Sequence, residues 1–484
     1  MGGHSNKYPS CAKPRPLPAI LQRHSMKIKL LILLTLLSPF VVWGQTPKLT
    51  GNIKISLANG QITCDFTLTN LPKLDDPAIS LNRGFNIKDL KFNDNSIDYN
   101  IDWGFPGRTA FLGEGIGVIP SIDTLLSTSK ISISYTGAFP VYKANEETAS
   151  GDGMSIIAIK NNILRASHQT LWYPILVDRT NNFTVTKYEY DIKVVCKDCE
   201  SIYLGGTNPI KAKKGNFRTA EPNDIMLYVG KYNFIKSNHT FFLNSKLDKT
   251  EAEILNSTLD SIKTFYTQIL QADYTQFTVL AQIFTIGPKS HYEKWAFVVY
   301  PCIVADLNEL SKQVDVTTKK ISDINVFRIY SHELAHNFFG LKVKADNEYW
   351  GFYSESFSEY LCLKAIEKFF GKDKYIAFLN QRYLTEKALS KTYTPLTNIK
   401  SDISTNHLYN YYPIILIGLE QIIGQQRMYK LIAHLVNNTK TTNLNANTLK
   451  QSALDNGITV EEWTEFESNY IKSENCLKLV KAKL

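Results

Sequence analysis

Between Thr46 and about Phe241 apolar and polar positions alternate along the chain. Lys54-Ile55-Ser56-Leu57, Ile62-Thr63-Cys64-Asp65-Phe66-Thr67-Leu68 and Ile131-Ser132-Ile133-Ser134-Tyr135 show the pattern, and residues 184–195 repeat it. A period of two is that of a half-buried strand. Asn59-Gly60 and Gly151-Asp152-Gly153 punctuate it as turns. Few segments here have helical spacing, so a sheet-rich domain of about 190 residues is expected. From about Leu247 the period changes. Ile254, Leu255, Leu259, Ile262, Phe265, Tyr266, Ile269 and Leu270 predict an amphipathic helix over 250–272. Strands are predicted over 277–286 and 295–300, with a loop at Gly287-Pro288-Lys289-Ser290. Helices follow to the end, most clearly over 408–435 and 459–481. The fold class is α+β, and no repeat of solenoid period occurs.

Composition narrows the picture. The 484 residues are 44% hydrophobic and 12% aromatic. Such a chain can bury large cores and divides into two or three domains. The net charge of +9 is modest for this length. No basic stripe with interleaved aromatics occurs, so no nucleic-acid partner is expected.

Residues 26–44, MKIKLLILLTLLSPFVVWG, outline a secretory signal peptide. Two lysines precede an uncharged run from Leu30 to Leu37. Pro39 then breaks the run, and Gly44–Gln45 is the expected cleavage point. The stretch is short for a membrane span. The protein is therefore expected to be exported, periplasmic or extracellular, with no stable membrane insertion once the signal is removed. The alternative is a membrane anchor through 26–44. Residues 1–25 are Pro-rich and basic and begin with a different methionine, so Met26 is expected to be the true start. Of seven cysteines, Cys196 and Cys199 form the close pair. In an exported chain they are expected to close a local disulfide across a turn.

The candidate chemistry lies at Ser331-His332-Glu333-Leu334-Ala335-His336-Asn337-Phe338-Phe339-Gly340. His-Glu-x-x-His on a helix stacks two imidazoles one turn apart on one face, where both reach one ion. Glu333, beside the first histidine, points elsewhere and is placed to hold a water. Catalytic zinc takes three protein ligands and keeps one open position. Glu355, after eighteen intervening residues, is the candidate third ligand, on a second helix that packs against the first. Glu359, one turn further on, is placed to accept a hydrogen bond from the far nitrogen of a zinc histidine. The strand ahead of the motif offers an edge for an extended peptide.

The order of these parts resembles the gluzincin arrangement of the M1 family of zinc aminopeptidases. HELAHNFFG is similar to the family's HELAHQWFG, and YSESFSEYL to LNEGFASYL. The resemblance implies zinc ligands His332, His336 and Glu355, one zinc per chain, and Glu333 as general base. The family places Gly-x-Met-Glu-Asn before its edge strand, and that glutamate binds the substrate's amino terminus. The matching text runs from Ser290 to Tyr300, with Glu293, Trp295 and Tyr300 in register. Ser290, Tyr292 and Lys294 depart from the motif. The family's oxyanion tyrosine matches Tyr409, with Tyr411 and Tyr412 as alternatives. Leu171-Trp172-Tyr173-Pro174-Ile175 resembles its Trp-Phe-Pro stretch.

The implied architecture is a β-sandwich or saddle domain (45–242), a thermolysin-like catalytic domain (243–390) and a short helical part (391–484). The implied activity is that of a secreted hydrolase, a metallopeptidase acting as an aminopeptidase on peptide substrates. A zinc endopeptidase and a non-catalytic peptide-binding protein on the same scaffold are the alternatives.

Overall fold

The computed structural model describes residues 1–2, 46–104, 115–126, 128–142, 156–181, 183–275, 277–283, 296–439 and 443–484. The expected signal peptide and the Glu293 segment lie outside them. Among the described residues no helix is long and apolar enough to cross a membrane.

The alternating segments pair as strands. Lys48–Ser56 runs antiparallel to Gln61–Thr69 across the Asn59-Gly60 turn, in the register Lys48↔Thr69 to Ser56↔Gln61. Together with Tyr188–Cys196, Lys214–Asn223, Ile131–Ala138, Phe85–Phe92 and Asn95–Ser96 they form a seven-stranded sheet. Its inward residues Leu49, Ile53, Ile62, Cys64 and Ile133 share one core with Ile79, Leu81, Ile116, Val118 and Ile175 of a five-stranded sheet. Period-two burial thus makes a sandwich. Trp172 and Tyr173 are fully buried in it. Trp172 Nε1 donates to Ile225 O at 2.9 Å, and the strand Ile175–Asp178 follows. Cys196 and Cys199 close a disulfide at the end of their strand.

The second half of the chain begins with a sheet that is apolar on both faces. Its order is Phe234–Ser237, Thr240–Leu243, Thr278–Gln282, Cys302–Ala305, Phe297–Val299. Leu280 and Ile303 point into a large helical core. Val279, Phe297, Val299, Cys302 and Val304 pack the other way, against Ile163, Tyr203 and Tyr228 of a further five-stranded sheet that includes Ile163–Ala166, Ser201–Leu204 and Leu227–Gly230. The strand Thr240–Leu243 straddles position 242 and pairs in parallel with Thr278–Gln282. Phe297–Val299 forms one edge and pairs with Cys302–Ala305.

The amphipathic helix is Lys249–Leu270, capped by Asp248, whose side chain accepts from the Glu251 N–H. Two helical stretches are more broken than their periodicity suggests. Residues 408–435 divide into a π-turn and the helices Tyr412–Ile423 and Gln425–Asn438, separated at Gly424 with φ +81°. Residues 459–481 divide into Val460–Phe466, a π-turn and Leu477–Ala482. Apolar periodicity reports which face is buried, and a Gly at positive φ interrupts the helix without disturbing that face.

Candidate metal centre and active site

The motif helix spans Ile324–Ala335 and starts at Asp323, whose carboxylate accepts from the Asn325 N–H at 2.7 Å. His336 caps its end. The chain then turns back through Gly340, which adopts φ +110°. A Cβ there would lie 2.9 Å from Ser354 Oγ and 3.4 Å from His336 Nδ1. The glycine thus permits this turn beyond the helix and lets the Glu355 segment approach. Glu355 sits on a π-helical turn, Phe352–Ser356, that leads into the helix Phe357–Phe370. Such single wide turns recur at functional sites because they re-aim one side chain.

Three donor atoms converge. His332 Nε2 lies 3.1 Å from His336 Nε2 and 3.3 Å from Glu355 Oε2, and His336 Nε2 lies 3.4 Å from Glu355 Oε2. Ligands about 2.05 Å from a tetrahedral zinc stand roughly 3.3 Å apart, so the triangle has the size of one tetrahedral face. The three could hold one metal ion. The His336 tautomer suits that role. His336 Nδ1–H donates to Phe339 O at 3.0 Å, which leaves Nε2 bare, and Ser358 Oγ stands 3.1 Å from the same Nδ1. His332 Nδ1 faces Glu359 Oε2 at 2.7 Å. The carboxylate thus stands against the ring nitrogen that does not face Glu355, close to it but off the hydrogen-bond axis.

Glu359 is fully buried and does not stand alone. Arg328 Nε donates to its Oε1 at 2.6 Å, and the Tyr383 hydroxyl donates to the same oxygen. Burial raises the Glu359 pKa, and Arg328 and His332 outweigh it and bring it down to about 2. Arg328 and Tyr383 escaped the sequence reading. Arg328 lies four residues before His332, on the same helical face, and that spacing is a usable signal. Tyr383 carries no local signal.

Glu333 is buried, 8% exposed, beside the ligands. Burial lifts its carboxyl above the ordinary value, against the pull of His336 and His332. Tyr409 joins the group. Its ring lies 5.5 Å from the His332 ring, and its phenol feels the charge of the nearby Glu355 carboxylate. Burial, then the Glu355 charge, hold this phenol well above its usual pKa, so it remains a proton donor. Tyr411 and Tyr412 point elsewhere: the Tyr411 hydroxyl donates to Ser473 O at 2.7 Å and that of Tyr412 to Thr394 O at 3.3 Å. The structure therefore brings together His332, Glu333, His336, Glu355, Glu359 and Tyr409.

No family model matches the chain, and no curated protein matches its sequence. Solved structures do. A mutant M1 zinc metallopeptidase of Deinococcus radiodurans bound to a Tyr-Ser-Ala substrate is 12% identical, with TM-score 0.62 over 89% of this chain and 94% of that one. The two-domain M1 zinc metallopeptidase mutant bound to L-tryptophan is 12% identical, with TM-score 0.59 over 90% and 94%. Leukotriene A4 hydrolase of Saccharomyces cerevisiae is 12% identical, with TM-score 0.60 over 90% of this chain and 70% of the longer enzyme. At these TM-scores and coverages the chain has the fold of the M1 zinc metallopeptidases it is similar to.

Proposed function

We propose that this protein is a zinc metallopeptidase that removes residues from the amino terminus of peptides, with one zinc per chain. The observation that carries the reading is the triangle of His332 Nε2, His336 Nε2 and Glu355 Oε2, with edges of 3.1, 3.3 and 3.4 Å. Zinc held there would polarise a carbonyl and lower the pKa of water to about 7. Glu333 is the general base. Its raised pKa suits a group that accepts a proton from the attacking water and returns it to the leaving amine. The Tyr409 phenol, held protonated, donates a hydrogen bond to the carbonyl oxygen as negative charge develops. The edge Phe297–Val299 aligns an extended substrate by main-chain pairing. Glu293, four residues before that strand, is proposed to bind the substrate's ammonium group.

The fold likeness to a structure holding Tyr-Ser-Ala supports peptide as the substrate class. The disulfide Cys196–Cys199 supports the further proposal of export, since such bonds persist in oxidising compartments. An amino-acid anilide and its N-acetylated form test the specificity. Cleavage of the free amine alone is expected, and equal or better cleavage of the blocked form would assign an endopeptidase instead.

A further inference from the structure

Tyr409 is held by an arrangement that an ordinary helix would not provide. His407–Tyr411 is a wide π-helical turn that enters the helix Tyr412–Ile423, and Glu355 stands on the second such turn. The two turns are joined on their inner side, where Ser356 Oγ donates to Leu408 O at 2.8 Å. At Gly351 a Cβ would lie 2.7 Å from the Leu408 side chain, so the turns meet in close contact.

The outer side of the Tyr409 turn is held by His407. The Thr394 N–H donates to His407 Nε2 at 3.0 Å. A backbone N–H can only donate, so Nε2 is bare and the ring proton sits on Nδ1. That proton is donated to Ser404 Oγ at 2.8 Å. This placement excludes a Ser404–His407 nucleophile, because the nitrogen facing the hydroxyl has no lone pair to take its proton. The imidazole is packed among the rings of Tyr393, Tyr412 and Tyr411, with centroids at 5.5, 5.7 and 6.1 Å. The backbone of Thr394 is held at both polar groups, since Tyr412 donates to its carbonyl.

We infer that His407 is a positioning residue for Tyr409, fixing the outer side of the π-turn that aims the phenol while Ser356 fixes the inner side. The inference rests on the reading of Tyr409 as the oxyanion donor. A double-mutant cycle on the zinc-loaded full chain tests both and separates them, with kcat, KM and zinc content read for each variant. His407→Phe keeps a ring but removes the acceptor, and should lower kcat on the order of tenfold with KM and zinc unchanged. His407→Gln offers an amide oxygen to the Thr394 N–H and should recover most of that loss. In the Tyr409→Phe background, His407→Phe should cost less than about twofold more, because there is no phenol left to aim. Ser404→Ala, at an exposed residue, runs the same cycle if His407→Phe fails to fold, with an expected loss of about threefold that also vanishes without the phenol. Unchanged kcat in His407→Phe, an equal loss in both backgrounds, or zinc falling in step with activity would overturn the inference. Full activity in Tyr409→Phe would overturn the oxyanion reading and the inference together.

Discussion

Replacing Glu359 by Gln keeps the shape of the side chain and removes its charge, and two separate losses follow. The Oε2 facing His332 Nδ1 at 2.7 Å makes the imidazole a better ligand and fixes its orientation. Losing a partner of that kind weakens metal binding by roughly 10- to 100-fold, or about 1.4–2.8 kcal/mol. The same substitution strands Arg328, whose Nε lies 2.6 Å from Oε1 and whose side chain is 13% exposed. A buried charge without its partner costs about 3–5 kcal/mol of folding stability. The variant should therefore lose zinc affinity, measured by competition with a chromophoric chelator, and also shift its urea midpoint downward. Adding Arg328→Met removes the stranded charge. The double variant should regain stability while its zinc affinity stays low, because only the first loss concerns the metal. Zinc affinity within twofold of the parent in Glu359→Gln, or full recovery of affinity in the double variant, would refute the assigned role.

Glu333→Gln should keep its zinc and lose about 10²–10⁴ in kcat, with metal analysis and steady-state rates as the check. Tyr409→Phe should lose on the order of 10² in kcat with KM and zinc content preserved. Zinc uptake should release protons. Burial lowers the His332 pKa, but Glu355 and Glu359 outweigh it and push it up to about 10 in the metal-free site. The metal-free site therefore holds a proton at neutral pH that zinc must displace. Glu355, held well below the usual carboxylate range, contributes none. Apparent zinc affinity should fall as pH drops below about 10, by up to about tenfold per unit for each displaced proton. Calorimetry in buffers of different ionisation enthalpy counts those protons, and a count of zero would contradict the assignment.

The parts of this site visible in the sequence are those that local geometry encodes. His332, Glu333 and His336 fall within five residues at the end and cap of one helix, and Glu355 follows within a loop and a turn. The alternation of 54–68 and 131–135 likewise reports burial directly, and those segments are strands. The sequence favours Tyr409 but leaves Tyr411 and Tyr412 as alternatives, because three tyrosines within four positions at a π-turn point to different sides and no period tells which one faces the site. The hairpin Phe234–Ser237 and Thr240–Leu243 follows the N-terminal strands directly in the sequence. Its place in the mixed five-stranded sheet is decided by pairing with a strand beyond the helix Lys249–Leu270. Tyr383 reaches Glu359 across twenty-four positions, and no period marks it.

Metal analysis of the purified protein beside its Glu355→Ala variant bears most directly on the proposed centre. The account predicts about one zinc per chain in the parent, with zinc and hydrolysis lost together in the variant. Full zinc occupancy in Glu355→Ala, or peptide hydrolysis by a parent stripped of metal, would contradict it.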